Sequence, residues 1–189
     1  MFHVLVVLSA VASQLQVDSS PLAVEAPPKW EIYFGATGGV RPDAPGGGGA
    51  GVLGINRRVT SWLRPELVVG LGGYSGPAQL VTVIRIGARL EWPGEARLKP
   101  YLWLAFAHNH EVAFESAKAN PVGSALGLSE DGVDHRSGLD TGLGVSFDLP
   151  LRKDGLFAGR LNARASLTQL LGAGPPRYVD LTASIGLCF

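Results

Sequence analysis

The last twelve residues constrain the fold most strongly, because apolar and polar side chains alternate along them without a break. One set falls at every second position and is wholly apolar: Val179, Leu181, Ala183, Ile185, Leu187 and Phe189. The positions between them are held by Asp180, Thr182, Ser184, Gly186 and Cys188. A β-strand directs successive side chains to opposite sides, so this segment predicts a strand with one apolar and one polar face. About ten alternating residues is the length of a tilted strand that crosses a bilayer.

Length and composition limit the remaining choices. A chain of 189 residues is one ordinary domain, long enough for about eight strands. The net charge is zero, so nothing indicates a nucleic-acid partner. The single cysteine, Cys188, excludes an intrachain disulfide framework. No apolar run reaches the ~18 residues of a transmembrane helix, so a membrane form of this chain would have to be a closed barrel.

The amino terminus predicts export. Residues 4–12 form a short apolar core of signal-peptide length, and Val24-Glu25-Ala26 suits the small-residue rule for cleavage. We therefore interpret residues 1–26 as a signal peptide and residues 27–189 as the mature barrel domain.

The same alternation recurs along the mature chain. Apolar residues at period two predict strands near 30–40, 51–58, 66–74, 80–92, 98–108, 138–149, 157–167 and 178–189. Hairpin connections between them indicate an all-β, eight-stranded, antiparallel, up-and-down transmembrane β-barrel. The phase of the strand at 98–108 stays open, because both of its faces are apolar. Residues 42–49 are predicted as a Gly/Pro loop and residues 111–136 as a long polar loop on the outer side.

The closing strand resembles that of bacterial outer-membrane barrels, which ends in an aromatic residue. The mature region as a whole is similar to the small eight-stranded group that includes the OmpA transmembrane domain and OmpX. This resemblance implies a place in the cell outer membrane, among its lipids and lipopolysaccharide. It also implies that Phe189 is an assembly signal read by the barrel-assembly machinery.

The polar faces carry acidic and basic residues in near-equal numbers, as expected where opposite charges pair in a narrow lumen. We predict ion pairs inside the lumen among Arg85, Asp140, Arg160, Arg164 and Asp180. The alternative is that the same residues form a gate. A soluble secreted barrel that binds a small apolar ligand also gives alternating strands. In that case the charged face would lie outside.

One constellation could carry chemistry, in and beside the 111–136 stretch. It consists of His108, His110, Glu111, Glu115, Asp131, Asp134 and His135. His-x-His on a strand puts both rings on one face, which suits Zn²⁺ or Cu²⁺. The more ordinary interpretation is that these residues lie in water at the base of a loop and bind no metal.

Catalytic motifs are missing from the sequence. It contains no G-x-S-x-G, phosphate loop or clustered Cys/His metal motif. We therefore predict no catalytic residue and no cofactor, and a non-enzymatic role in structural support or surface contact through the outer loops, chiefly 111–136. The alternative is a lipid A-modifying barrel enzyme that uses His135 or the His108/His110 pair. The deacylase run His-x-Ser-Asn is absent, although His135 and Ser137 are not excluded by position.

Overall fold

The computed structural model describes residues 29–42, 46–75, 78–128, 132–150, 158–171 and 177–189. Its eight strands are β1 (Trp30–Val40), β2 (Gly47–Arg57), β3 (Leu63–Tyr74), β4 (Gln79–Glu91), β5 (Leu98–Ala113), β6 (Val133–Pro150), β7 (Ala158–Leu170) and β8 (Arg177–Cys188). Two six-residue helices, α1 (Phe114–Ala119) and α2 (Pro121–Leu126), connect β5 to β6. Every strand pairs antiparallel with the next, and β1 pairs with β8 to close the barrel. The predicted eight-stranded up-and-down barrel is confirmed.

The barrel is apolar outside and charged inside. Phe34, Ile86, Leu143 and Leu181 are each more than 60% exposed on its outer surface. The most deeply buried charged side chains, at most 2% exposed, are Glu31, Arg64, Arg89, Glu111, Asp140, Arg160 and Asp180. The apolar outer surface needs apolar surroundings. The polar side chains that would face water in a soluble protein point into the barrel instead.

The start of β1 and the carboxy-terminal Phe189 lie at one end of the barrel. The backbone N–H of Trp30 donates to the Phe189 carbonyl, and the N–H of Phe189 donates to the Trp30 carbonyl, each at 2.9 Å. We call this the terminal end and the opposite end, which carries α1 and α2, the distal end. Neither helix among the described residues is long enough to cross a membrane.

The structure resolves the phase of β5. Tyr101, Trp103 and Ala105 point inward, while Leu102, Leu104 and Phe106 are exposed outside. The inward rings need small neighbours, and a Cβ added to Gly144 would come within 2.3 Å of the Tyr101 ring. The phase is therefore set by the neighbouring strand, because both faces of β5 are apolar.

The prediction of a polar loop over 111–136 is wrong at both of its ends. β5 continues to Ala113 and β6 begins at Val133, so Glu111 and Arg136 belong to strands. Glu111 points inward and accepts a hydrogen bond from the Tyr178 hydroxyl at 2.5 Å. These charged residues have partners inside the barrel, which is why their polarity does not indicate a solvated loop.

The prediction of a loop over 42–49 is also wrong at its end, since β2 begins at Gly47. A Cβ at Gly48 would come within 2.2 Å of the Gly73 carbonyl, so glycine here permits close strand pairing. Two other predictions, the signal peptide over residues 1–26 and a metal-site role for Asp131, lie outside the described residues.

Candidate functional site

An ionic network fills the barrel interior, and Arg85 on β4 holds its distal part. The Arg85 guanidinium lies 2.8 Å from an Asp140 oxygen on β6 and 3.4 Å from an Asp180 oxygen on β8. The Trp103 indole N–H donates to Asp140 at 2.9 Å, and the Tyr74 hydroxyl donates to Asp180 at 2.8 Å. Each carboxylate is thus ion-paired with Arg85 and also accepts a hydrogen bond from an uncharged donor.

The other two predicted arginines belong to a separate group nearer the terminal end. Arg160 contacts Asp148 at 2.7 Å, Glu91 at 3.0 Å and Glu31 at 3.5 Å. Arg164 lies 3.6 Å from Glu66 and stacks on the Trp103 ring. Asp140 and Asp180 therefore pair with Arg85, whereas Arg160 and Arg164 pair with other acids.

The sequence places Arg89 on the charged face of β4 but not among the predicted ion pairs, yet it lies at the centre of the network. Its guanidinium is 5.0 Å from the centre of the Tyr33 ring and 5.1 Å from that of Tyr101, and it pairs with Glu66 and Glu31. Sequence reasoning also missed Arg64, which binds Glu91 at 2.7 Å. Arg64 is in phase with Glu66 on β3, and that spacing could have indicated it.

The network leaves little free space inside the barrel. A void of about 10 Å³ lies among Tyr33, Arg89, Tyr101 and Arg164, which is at the lower limit for one water molecule. Eight strands enclose a lumen just wide enough for side chains. At this level the described interior is filled by side chains.

A second polar group lies on the outer surface at the distal end, and it contains every histidine of the described residues. His108 and His110 on β5 share one face, and His110 pairs in register with His135 on β6. Their ring centres are 4.8 Å apart for His108 and His110, 4.7 Å for His110 and His135, and 5.9 Å for His108 and His135. We call these three residues the histidine cluster.

Strand register shows that the histidine cluster faces outward. His108 pairs with Ile84 of β4, which shares its face with the exposed Ile86. The exposed residues next to the cluster toward the terminal end are Phe106 on β5 and Leu139 on β6. The cluster therefore begins where the apolar outer band ends.

The segment after β5 covers part of the cluster. His110 is only 8% exposed, and its Nδ1 has no hydrogen-bond partner in the part of the chain that the structure describes. A Cβ added to Gly127, just after α2, would come within 2.6 Å of the His110 ring. Glycine at this position, with its positive φ of 70°, lets the chain close over the imidazole.

The described acidic residues of the predicted constellation, Glu111, Glu115 and Asp134, do not join the histidines. Glu111 points to the opposite face of β5, where it binds Tyr178. Glu115 pairs with Lys118 on exposed α1, and Asp134 pairs with Arg136. The group that the structure assembles consists of three imidazoles and the Ser137 hydroxyl, which lies 2.9 Å from His108 Nδ1.

Comparisons with known proteins bear on the fold. No protein-family model matches the chain, and no curated protein does. Neisserial surface protein A matches with a TM-score of 0.60 at 12% identity, over 85% of this chain and 97% of that one. Ail of Yersinia pestis, in complex with the heparin analogue sucrose octasulfate, matches with a TM-score of 0.54 at 11% identity, over 87% and 100%. The chain has the fold of the small eight-stranded outer-membrane barrels. That expectation is confirmed, whereas the narrower likeness to OmpA and OmpX stays a prediction.

Proposed function

We propose that this protein is an integral outer-membrane barrel that acts through contacts at its outer surface and does not conduct solutes. The proposal rests on the distribution of polar and apolar side chains, which is the reverse of that in a soluble protein. Ion pairs such as Arg85–Asp140 lie inside, and an apolar band that includes Leu143 and Leu181 lies outside. A soluble ligand-binding barrel requires the opposite arrangement, so the same observation argues against that alternative.

The distal end supports a role in surface contact. The segment from α1 to residue 128 exposes Phe114, Val122, Leu126 and Leu128, with Val122 and Leu128 more than two-thirds exposed. Exposed apolar side chains that are surrounded by polar ones indicate contact with a partner or with a lipid surface. Two structural neighbours are named as a surface protein and an attachment protein, which is consistent with such a role.

Location and conductance test the proposal together. Expressed protein should sediment with outer membranes, and its unheated form should migrate differently from its boiled form on a denaturing gel. Purified barrel added to planar bilayers should give no steady conductance above that of a buffer control. Recovery from the soluble periplasm would contradict the location, and stable single-channel currents would contradict the non-conducting role.

A second candidate function rests on the contact between Ser137 and His108. A serine hydroxyl 2.9 Å from an imidazole, on the outer surface at the edge of the apolar band, is the geometry of an activated nucleophile facing lipid. The arrangement lacks an acid beside His108 among the described residues, and Gly138 stands where the deacylase motif has Asn. This is why we rank the enzyme second.

Mass spectrometry of lipid A separates the two candidates. Cells that express the protein should keep the acyl pattern of cells without it if the role is contact alone. Loss of an acyl chain that depends on both Ser137 and His108 would instead support the enzyme. The variants Ser137→Ala and His108→Ala should be compared at equal amounts of heat-modifiable barrel.

A further inference from the structure

We propose that the histidine cluster binds a late first-row transition metal ion, Zn²⁺ or Cu²⁺, through His108, His110 and His135. The site lies on the outer surface of β5 and β6, at the distal edge of the apolar band. It does not depend on the surface-contact role, so either proposal can fail without the other.

The strand geometry brings the three rings together without any special loop. Two come from an i, i+2 pair on β5, and the third lies directly opposite His110 on β6. Their ligand atoms all lie within 4.8 Å of one another. Metal–nitrogen distances of about 2.0–2.1 Å require nitrogens roughly 3.3 Å apart in a tetrahedral site. The exposed His135 ring would have to rotate toward His108 and His110 to bring the nitrogens into that range, while His108 keeps its contact with Ser137.

The burial and hydrogen bonding of His110 provide a second, independent observation. The residue is only 8% exposed, and Nδ1 has no hydrogen-bond partner among the described residues. A buried polar atom without a hydrogen bond costs about 1–3 kcal/mol, so such atoms are uncommon unless something else satisfies them. A metal ion between the three rings would supply the missing partner. The Ala125 carbonyl of α2 also lies beside this ring, where it resembles the carbonyls that orient metal-bound histidines.

The donor set selects the class of metal. Three imidazoles suit Zn²⁺ and Cu²⁺, whereas Mg²⁺ and Ca²⁺ prefer oxygen ligands. Glu111, Glu115 and Asp134 bind other partners, so nitrogen is the principal donor among the described residues. Ser137 holds His108 through Nδ1 at 2.9 Å, so His108 would offer Nε2 to the metal.

The test uses untagged full-length protein, folded in detergent and freed of metal with a chelator. The probe is ZnCl₂ alone, with bound zinc measured after equilibrium dialysis. We expect about one zinc ion per barrel, and at least tenfold weaker affinity for His135→Ala. His135 is exposed, so its removal should not affect folding, and heat-modifiable migration will verify this. Thr141→Ala, an exposed change on the outer face of the same strand, should bind as the unchanged protein does.

A spectroscopic readout identifies the ligands. With CuCl₂ as the probe, the electron paramagnetic resonance spectrum should show coupling to several imidazole nitrogens, reduced in the His135→Ala and His108→Ala variants. Equal zinc binding by the unchanged protein and His135→Ala would overturn the proposal. A copper spectrum without nitrogen coupling would overturn it as well.

Discussion

Arg85 and Asp140 form an ion pair at 2.8 Å between β4 and β6, two strands that are separated by β5 and are not neighbours in the barrel wall. The pair therefore spans the inner face of β5, and both side chains are at most 4% exposed. Arg85 also lies 3.4 Å from Asp180 on β8, so this group links three strands from inside the barrel.

Removing one partner of this pair should destabilise the barrel strongly. Asp140→Ala leaves the buried Arg85 with only its longer contacts to Asp180 and Thr168 and leaves the Trp103 indole without its acceptor. Breaking a buried ion pair costs about 3–5 kcal/mol, and we expect a loss near the lower end because Asp180 remains. Urea unfolding in detergent or lipid vesicles, followed by gel mobility, measures the free energy of unfolding.

The control for this change is the ion pair between Glu115 and Lys118 on α1, in which both side chains are at least 70% exposed. Lys118→Ala should alter the free energy of unfolding by less than about 1 kcal/mol, because water screens exposed pairs. Equal effects of Asp140→Ala and Lys118→Ala would contradict the account of the interior.

A charge placed on the outer band should be costly only where lipid surrounds it. Leu143 on β6 is 66% exposed, and Leu128 beyond α2 is 74% exposed. In water, arginine would be harmless at either position. In a bilayer, Leu143→Arg should destabilise the barrel by about 2–4 kcal/mol, whereas Leu128→Arg should have little effect. Unfolding titrations in vesicles check the difference, and two neutral changes would argue for a soluble protein.

Much of this fold follows from the sequence, because period-two alternation assigns each side chain of β8 to the lumen or the exterior. It fails where both faces of a strand are apolar, as in β5, since only the contact of Tyr101 with Gly144 selects one phase. It also fails at Glu111, whose charge suggests a loop although the residue is buried against Tyr178. His135 is distant in sequence from His108 and His110, and only the strand register places it opposite His110.

The terminal aromatic residue should be needed for assembly in cells rather than for the barrel itself. The bonds between Phe189 and Trp30 use backbone atoms alone. Phe189→Asp should therefore still fold from urea into detergent, yet it should fail to accumulate in outer membranes. Fractionation and a refolding assay on the same variant check both halves. Normal membrane levels of this variant would show that the side chain has no role in assembly.

The residue that closes over His110 should influence metal affinity without being a ligand. Gly127→Ala places a methyl group against the His110 ring and strains a backbone position with positive φ. We expect weaker zinc binding from a barrel that is still heat-modifiable. Gly94, which also has positive φ but has open space around it, provides the matched control as Gly94→Ala. Equal zinc affinity of the two variants would contradict the packing described for the cluster.

The same site should also respond to acid. Imidazole must be deprotonated to bind a metal, so acidification should release the ion. Zinc retained per barrel, measured across a pH series, checks this, and retention at pH 4 would indicate ligands other than histidine.

The central claim is that the apolar surface faces lipid, and one residue in the middle of β8 tests it most directly. Ala183 lies on the outer face of β8 and is exposed, whereas Ser61 lies in the exposed turn between β2 and β3. In a Cys188→Ser background, Ala183→Cys and Ser61→Cys would each carry a nitroxide label, with the protein folded into lipid vesicles. Collisions with oxygen, which concentrates in lipid, and with a water-soluble nickel chelate are then compared by electron paramagnetic resonance. The label at 183 should encounter oxygen and not nickel, and the label at 61 should encounter nickel. Strong nickel collisions at position 183 would mean that this surface faces water, and the membrane-spanning barrel would be wrong.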